Sequence, residues 1–172
     1  MNRIAVLGTG PSIHEFDPDG YDWSIGVNDI WKFYHSEDIV CLNAPKEFTP
    51  ERLRIIQNST PNKFFSQMVI WDTRPDFSKI DIRPGYPDRV CSIDRFGGYE
   101  KSFCSPFIAA QIAYRYYAAR EIHLFGVDLT AHPKLDRALC GRIKVHFENL
   151  QAALIPKYSR LIVHGQGILK DL

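Results

Sequence analysis

Apolar positions in this chain gather into short unbroken runs separated by polar turns, and seldom alternate with polar ones. Runs of strand length fall at residues 3–7, 23–27, 38–42, 63–65, 89–93, 121–125 and 160–163. Several of them, read as IAVLG, DIVCL and EIHLFGV, have little or no polar face. A strand that is apolar on both sides is covered on both sides, which predicts a parallel sheet between layers of helix. Two segments carry helical spacing instead. SPFIAAQIAYRYYAA places Ala109, Ile112, Ala113 and Tyr116 on one face, with Ser105 as N-cap and Pro106 opening the helix. KLDRALCGRIKVHFENLQAALI places Leu139, Ile143, Phe147, Leu150 and Leu154 on one stripe, with Asp136 as cap and Pro156 as stop. A shorter helix is expected at TPERLRIIQNS, with Thr49 as cap and Pro50 behind it. Strand and helix alternate through the last third, which predicts an α/β fold, a single domain over residues 1–172 with a mostly parallel sheet flanked by helices. Residues 71–89 hold Pro75, Pro84, Pro87 and many charges, and are expected to form a long irregular loop.

Composition narrows the function classes. The chain has 172 residues, 45% hydrophobic and 24% charged, enough for a substantial core. A net charge of +1 is too small for a protein held to nucleic acid by phosphate contacts, so no nucleic-acid partner is expected. Met1-Asn2-Arg3 leads into an apolar run too short for a signal core or a membrane span, so a cytoplasmic protein with no transmembrane segment is expected. Cys41, Cys91, Cys104 and Cys140 show no CxxC spacing and are expected to be free thiols, mostly buried, with no metal site.

The stretch IAVLGTGPS, residues 4–12, raises the question of function. A buried strand ends there in two glycines, a proline and a serine. In a doubly wound α/β fold, ligands lie at the carboxyl ends of the strands. Gly8 and Gly10 would let a phosphate approach the backbone amides, and Ser12 adds a hydroxyl. The dinucleotide fingerprint GxGxxG is not met, because Ile13 stands where its third glycine would be. The next two strand ends read GVNDIW and VCLNAP, bringing Asn28 and Asn43 to the same edge. An amide carries both donor and acceptor and suits a ribose hydroxyl or a base edge.

VLGTGPSI, GVNDIW, VCLNAP and SPFIAAQIAYRYYAAREIHLFGVDLT follow, in order, a pattern that resembles the bacterial family-42 sialyltransferases. It is also similar to the archaeal 6-hydroxymethyl-dihydropterin pyrophosphokinase-like family. The resemblance implies a Rossmann-like nucleotide site, with CMP carrying the sugar in the sialyltransferases. It places Gly8, Thr9, Gly10, Pro11 and Ser12 on the phosphate and sugar side of the donor, Asn28 and Asn43 on the nucleotide, and Ser105 beside the donor. Asp128 would face the same crevice. The family turn commonly reads G-N-G-P-S, and Thr9 stands here in place of its asparagine. The family's long lid after the strand of Asp128 is reduced to LTAHPKLDRALCGR.

For the reacting groups, His132 and Asp128 are the expected catalytic residues, His132 as the base in a loop four residues after Asp128, where an imidazole can take a proton from an acceptor hydroxyl. His164, ending the last strand, is next in line, and His123 within a strand is expected in the core. The resulting expectation is a nucleotide-binding transferase. Its leading form is a sialyltransferase-like glycosyltransferase moving a sugar from a nucleotide donor to a hydroxyl acceptor. The alternatives are an ATP- and magnesium-dependent pyrophosphokinase, in which Asp128 would help hold the metal, and a non-catalytic nucleotide-binding module. The expected partners are a small nucleotide or CMP-linked donor and a sugar or other hydroxyl acceptor; a homo-oligomer is left open.

Overall fold

A computed structural model describes residues 2–80, 82–83, 99–100, 104–129 and 136–172. The strands are β1 (Arg3–Leu7), β2 (Trp23–Val27), β3 (Asp38–Val40), β4 (Lys63–Ser66), β5 (Phe77–Lys79), β6 (Ile82–Arg83), β7 (Tyr99–Glu100), β8 (Glu121–Phe125) and β9 (Arg160–Val163). Seven of them form one sheet in the order β5-β4-β3-β2-β1-β8-β9. Every neighbouring pair in it is parallel. Strands β6 and β7 pair with each other.

The unbroken apolar runs have the cause expected of them. In β1, Ile4 and Val6 turn to one side and Ala5 and Leu7 to the other, and all four are fully buried. The first side is covered by α2 (Ser105–Arg115) and α3 (Arg137–Leu154). The second side is covered by α1 (Pro50–Asn58) and by short 3-10 turns, among them Pro11–Glu15 and Ile30–Lys32. The fold is therefore α/β, a seven-stranded parallel sheet between helical layers.

Local signals set the helix ends. The Thr49 hydroxyl accepts from the Arg52 amide, and the Asp136 carboxylate accepts from the Leu139 amide. At α2 the cap falls one residue earlier than expected: Cys104 holds the cap position without capping the helix through its side chain, and Ser105 is the first helical residue. In α3 the buried stripe is Cys140, Ile143, Phe147, Leu150 and Leu154, with Leu139 only partly covered.

Within the expected irregular loop, Phe77–Lys79 pairs with β4 as the edge strand of the sheet. Its charges are not all solvated. The Arg74 guanidinium donates to the Ile56 and Ser59 carbonyls and to the Asp76 carboxylate, and ties the edge strand to the end of α1. Residues 81 and 84–89 of that loop and the expected strand at 89–93, with Cys91, lie outside the described residues. Cys41, Cys104 and Cys140 are buried and form no disulfide among the described residues, and burial pushes the Cys41 and Cys104 thiols up to about 12. Among the described residues no helix is long and apolar enough to cross a membrane.

Candidate functional site

The strand order places a switch point between β1 and β8. From β1 the chain adds β2, β3, β4 and β5 on one side, then crosses to add β8 and β9 on the other. Ligands of open α/β sheets lie outside the carboxyl ends of the strands at such a point. Because every strand of the sheet is parallel, the turn 8–12, Asn28, Asn43 and Asp128 all come to this one edge. Helix α2 runs back from the same edge toward the start of β8, so Ser105 begins there as well.

At the switch point the turns after β1 and β8 are joined. The Gly8 amide donates to the Phe125 carbonyl at 2.7 Å, and the Gly10 amide to the Gly126 carbonyl at 2.8 Å. The Ser12 hydroxyl donates to Asp128 Oδ2 at 2.9 Å, and the Ser12 amide reaches the same oxygen at 3.1 Å. The Gly126 amide in turn donates to Ser12 Oγ at 2.8 Å. Ser12 and Asp128 are 4% and 6% exposed, so this clasp is closed to solvent.

The clasp explains the glycines. A Cβ on Gly10 would lie 2.5 Å from Asp128 Oδ2 and 2.8 Å from the Gly126 oxygen, and one on Gly8 would collide with the Gly126 carbonyl. The sequence reading gave these glycines to an approaching ligand; in the structure they also make room for the neighbouring turn, for the Gly126 carbonyl at both and for the Asp128 carboxylate at Gly10. Thr9 and Pro11 are the exposed residues of the turn. Among the described residues no protein acceptor takes the Thr9 amide.

The other expected residues divide. Asn28 has φ of 53°, a left-handed conformation that asparagine adopts more readily than most side chains, and its backbone amide donates to the Val40 carbonyl. Its Oδ1 is buried, and among the described residues nothing donates to it. Asn43 is committed: its Nδ2 donates to Glu47 Oε2 at 2.9 Å, and its carbonyl accepts from Trp71 Nε1 at 3.0 Å. Ser105 is 4% exposed. His132 lies outside the described residues. Among the described residues no group of three or more His, Cys, Asp or Glu side chains is placed to hold a metal ion.

Sequence reasoning missed three contributors. Asp29, 6% exposed, is held by a two-pronged pair from Arg52 at 2.6 and 3.0 Å, which anchors the loop after Asn28 to α1. This pairing also raises the Arg52 guanidinium above its usual range. Gly165 and Gly167, in the HGQG segment after β9, pack on the clasp from the far side. A Cβ on Gly165 would lie 2.6 Å from Asp128 Oδ1, and one on Gly167 would overlap the Asp128 backbone. The pair of glycines two residues apart was the signal available for that contact.

Two solved structures share this architecture. The sialyltransferase CstII from Campylobacter jejuni, in complex with the substrate analogue CMP-3FNeuAc, aligns with a TM-score of 0.56 at 13% identity. The alignment covers 95% of this chain and 80% of that one. A point mutant of the α-2,3/8-sialyltransferase CstII aligns with a TM-score of 0.56 at 14% identity, over 95% of this chain and 81% of the other. At these identities the likeness is one of fold. No family model matches the chain, and no curated protein matches it.

Proposed function

We propose that the chain is a glycosyltransferase that binds a nucleotide-linked sugar at the β1/β8 switch point and passes the sugar to a hydroxyl acceptor. The observation that carries the reading is Asn28. A buried oxygen without a donor costs about 1–3 kcal/mol. That penalty sits at the carboxyl end of β2, where a ligand would supply the missing donor, from a ribose hydroxyl or a base amino group. The CMP-sugar analogue bound by the structural neighbour favours a CMP-linked donor.

In this reading the clasp holds the turn rigid, so that the exposed Thr9 amide and hydroxyl meet the donor phosphate without reorganisation. Charge builds on that phosphate as the bond to the sugar breaks. No step in this reading calls on magnesium. Ser12 and Asp128 act by shaping the turn, since the hydroxyl and Asp128 Oδ2 are already engaged with each other.

The test is calorimetric titration with CMP, UDP, GDP and ATP, on the wild type and on Asn28→Gly. Glycine accepts the positive φ, so the variant keeps its fold with stability unchanged or raised. CMP affinity should fall at least tenfold, about 1.4 kcal/mol. Equal affinity in the variant, or no nucleotide binding by the wild type, defeats the proposal.

A further inference from the structure

On the face of the sheet away from α2 and α3, three titratable side chains stand in a row across β8 and β9. Glu121 and His123 share one face of β8, and His164 follows the last residue of β9. His123 Nε2 lies 3.5 Å from Glu121 Oε2, and His123 Nδ1 lies 3.0 Å from His164 Nε2. The two imidazole planes differ by 22° with centroids 5.3 Å apart. That separation is close to the nitrogen–nitrogen distance plus two ring radii. The nitrogens therefore meet head on, as in a hydrogen bond, with no room for a metal ion between them.

The direction of this chain follows from its fixed end. A carboxylate only accepts, so His123 carries its proton on Nε2 and presents a bare Nδ1. The Tyr21 hydroxyl lies 3.4 Å from the same Nδ1 and His164 Nε2 lies 3.0 Å from it, so the single lone pair there goes to the closer group. His164 then carries its proton on Nε2, and its Nδ1 is left with a free lone pair. Among the described residues no group is hydrogen-bonded to that nitrogen.

The position of His164 gives the lone pair a use. Its amide donates to the Leu124 carbonyl, and its ring lies flat on Phe125 with centroids 3.9 Å apart. The next residue, Gly165, has φ of 88° and rests on Ser12 and Asp128. The imidazole is thus held one residue from the clasp, at the carboxyl edge. We propose that His164 is the general base that takes the proton of the acceptor hydroxyl, with His123 and Glu121 as positioning residues that fix its tautomer. This rests on the glycosyl-transfer reading above. The acceptor O–H bond breaks and its proton goes to His164 Nδ1. The oxygen lone pair bonds to the donor's anomeric carbon, and the bond from that carbon to the phosphate oxygen breaks with its electrons leaving on the nucleotide. The imidazolium then returns the proton to water.

The charged and titratable groups around the pair are Glu15 from the turn after β1, Arg3 from β1, Tyr21 ahead of β2, Glu121 on β8 and Arg160 on β9. Burial pushes both imidazoles below the usual histidine range, ahead of the weaker opposing pull of Glu121 on His123 and Glu15 on His164. The pair is therefore neutral near neutral pH, the form a base requires.

The test measures release of CMP from CMP-N-acetylneuraminate, with lactose as hydroxyl acceptor, together with 15N NMR of the imidazoles. His164→Ala should lower turnover by about 100-fold or more, leave CMP affinity unchanged, and regain activity with added imidazole. Glu121→Gln keeps an acceptor for His123 but removes the charge, so the acid limb of the pH–rate profile should move to lower pH and the maximal rate should fall. The ligand-free spectrum should show both histidines protonated on Nε2 at pH 7. Full turnover in His164→Ala, a 100-fold loss in His132→Ala instead, or a protonated Nδ1 on either histidine overturns the assignment. Absence of CMP binding by the wild type refutes the nucleotide reading, and His164 as its base falls with it. That outcome is distinct from a failure of the relay, which the ligand-free spectrum reads directly.

Discussion

Replacing Ser12 by alanine removes one hydroxyl and breaks the clasp in two places. The hydroxyl donates to a carboxylate, a bond worth about 1.5–3 kcal/mol. It also accepts from the buried Gly126 amide, which would be left without a partner at about 1–3 kcal/mol. The Ser12 amide still reaches Asp128 Oδ2 at 3.1 Å, so the carboxylate is not orphaned and the two figures do not simply add. A net loss of about 2–4 kcal/mol is expected. For a domain of this size each kcal/mol lowers Tm by about 2–4 °C, so a fall of about 5–15 °C should appear in a thermal melt without ligand. Urea unfolding gives the free energy directly, and Thr9→Ala, on the exposed neighbour, is the control that should stay within about 0.5 kcal/mol of wild type. In an Asp128→Asn background the same serine substitution should cost less, because its charged partner is gone. A loss below about 0.5 kcal/mol from Ser12→Ala would show that the two turns are held by other contacts and that the clasp is incidental.

Gly165→Ala places a methyl against Ser12 and Asp128 at a φ of 88°, and should destabilise by more than about 1 kcal/mol in urea unfolding; a neutral variant would mean that the HGQG segment does not press on the clasp. Stability should also fall on acidification. His123 and His164 have folded values below the ordinary one, so the unfolded chain binds protons first, starting near pH 6.5. Urea midpoints should be level above that pH and drop as it falls toward the lowered folded values, and His123→Gln should flatten this part of the curve. A midpoint that rises between pH 7 and pH 5.5 would contradict the burial of the neutral pair.

The sheet was legible because its signal is local. A strand buried on both faces needs apolar residues at every position, and Ile4 to Leu7 and Ile122 to Phe125 show it with His123 as the one polar interruption. Caps are local too, which is why Thr49 and Asp136 were found. Strand β5 was hidden because Arg74 and Asp76 read as surface charges, whereas they neutralise one another over the end of α1. The site was half legible. Glycines and amides at strand ends pointed to the carboxyl edge, where the fold brings them together. What the glycines touch depends on β1 and β8 being neighbours, and that adjacency is a property of strand order rather than of either segment. Asn43 was indistinguishable from Asn28 in sequence; only the structure shows that Glu47 occupies one amide while the oxygen of the other is left waiting. His123 and His164 lie 41 residues apart, and nothing in either segment announces the other.

The clasp also has a consequence in time. Ser12 and Asp128 are separated by 116 residues. At about 5–20 residues per second, synthesis of the intervening chain takes on the order of 6–23 s. For that interval β1 exists without β8, and the glycine turn without the groups that hold its shape. The nascent chain carries a strand that is apolar from Ile4 to Leu7 and has one edge unpaired, the kind of segment that holdase chaperones recognise and that pairs with other chains when left alone. A fragment ending before Gly126 would keep every glycine of the turn and still be unable to set it, so the candidate site is completed by the last third of the protein to be made.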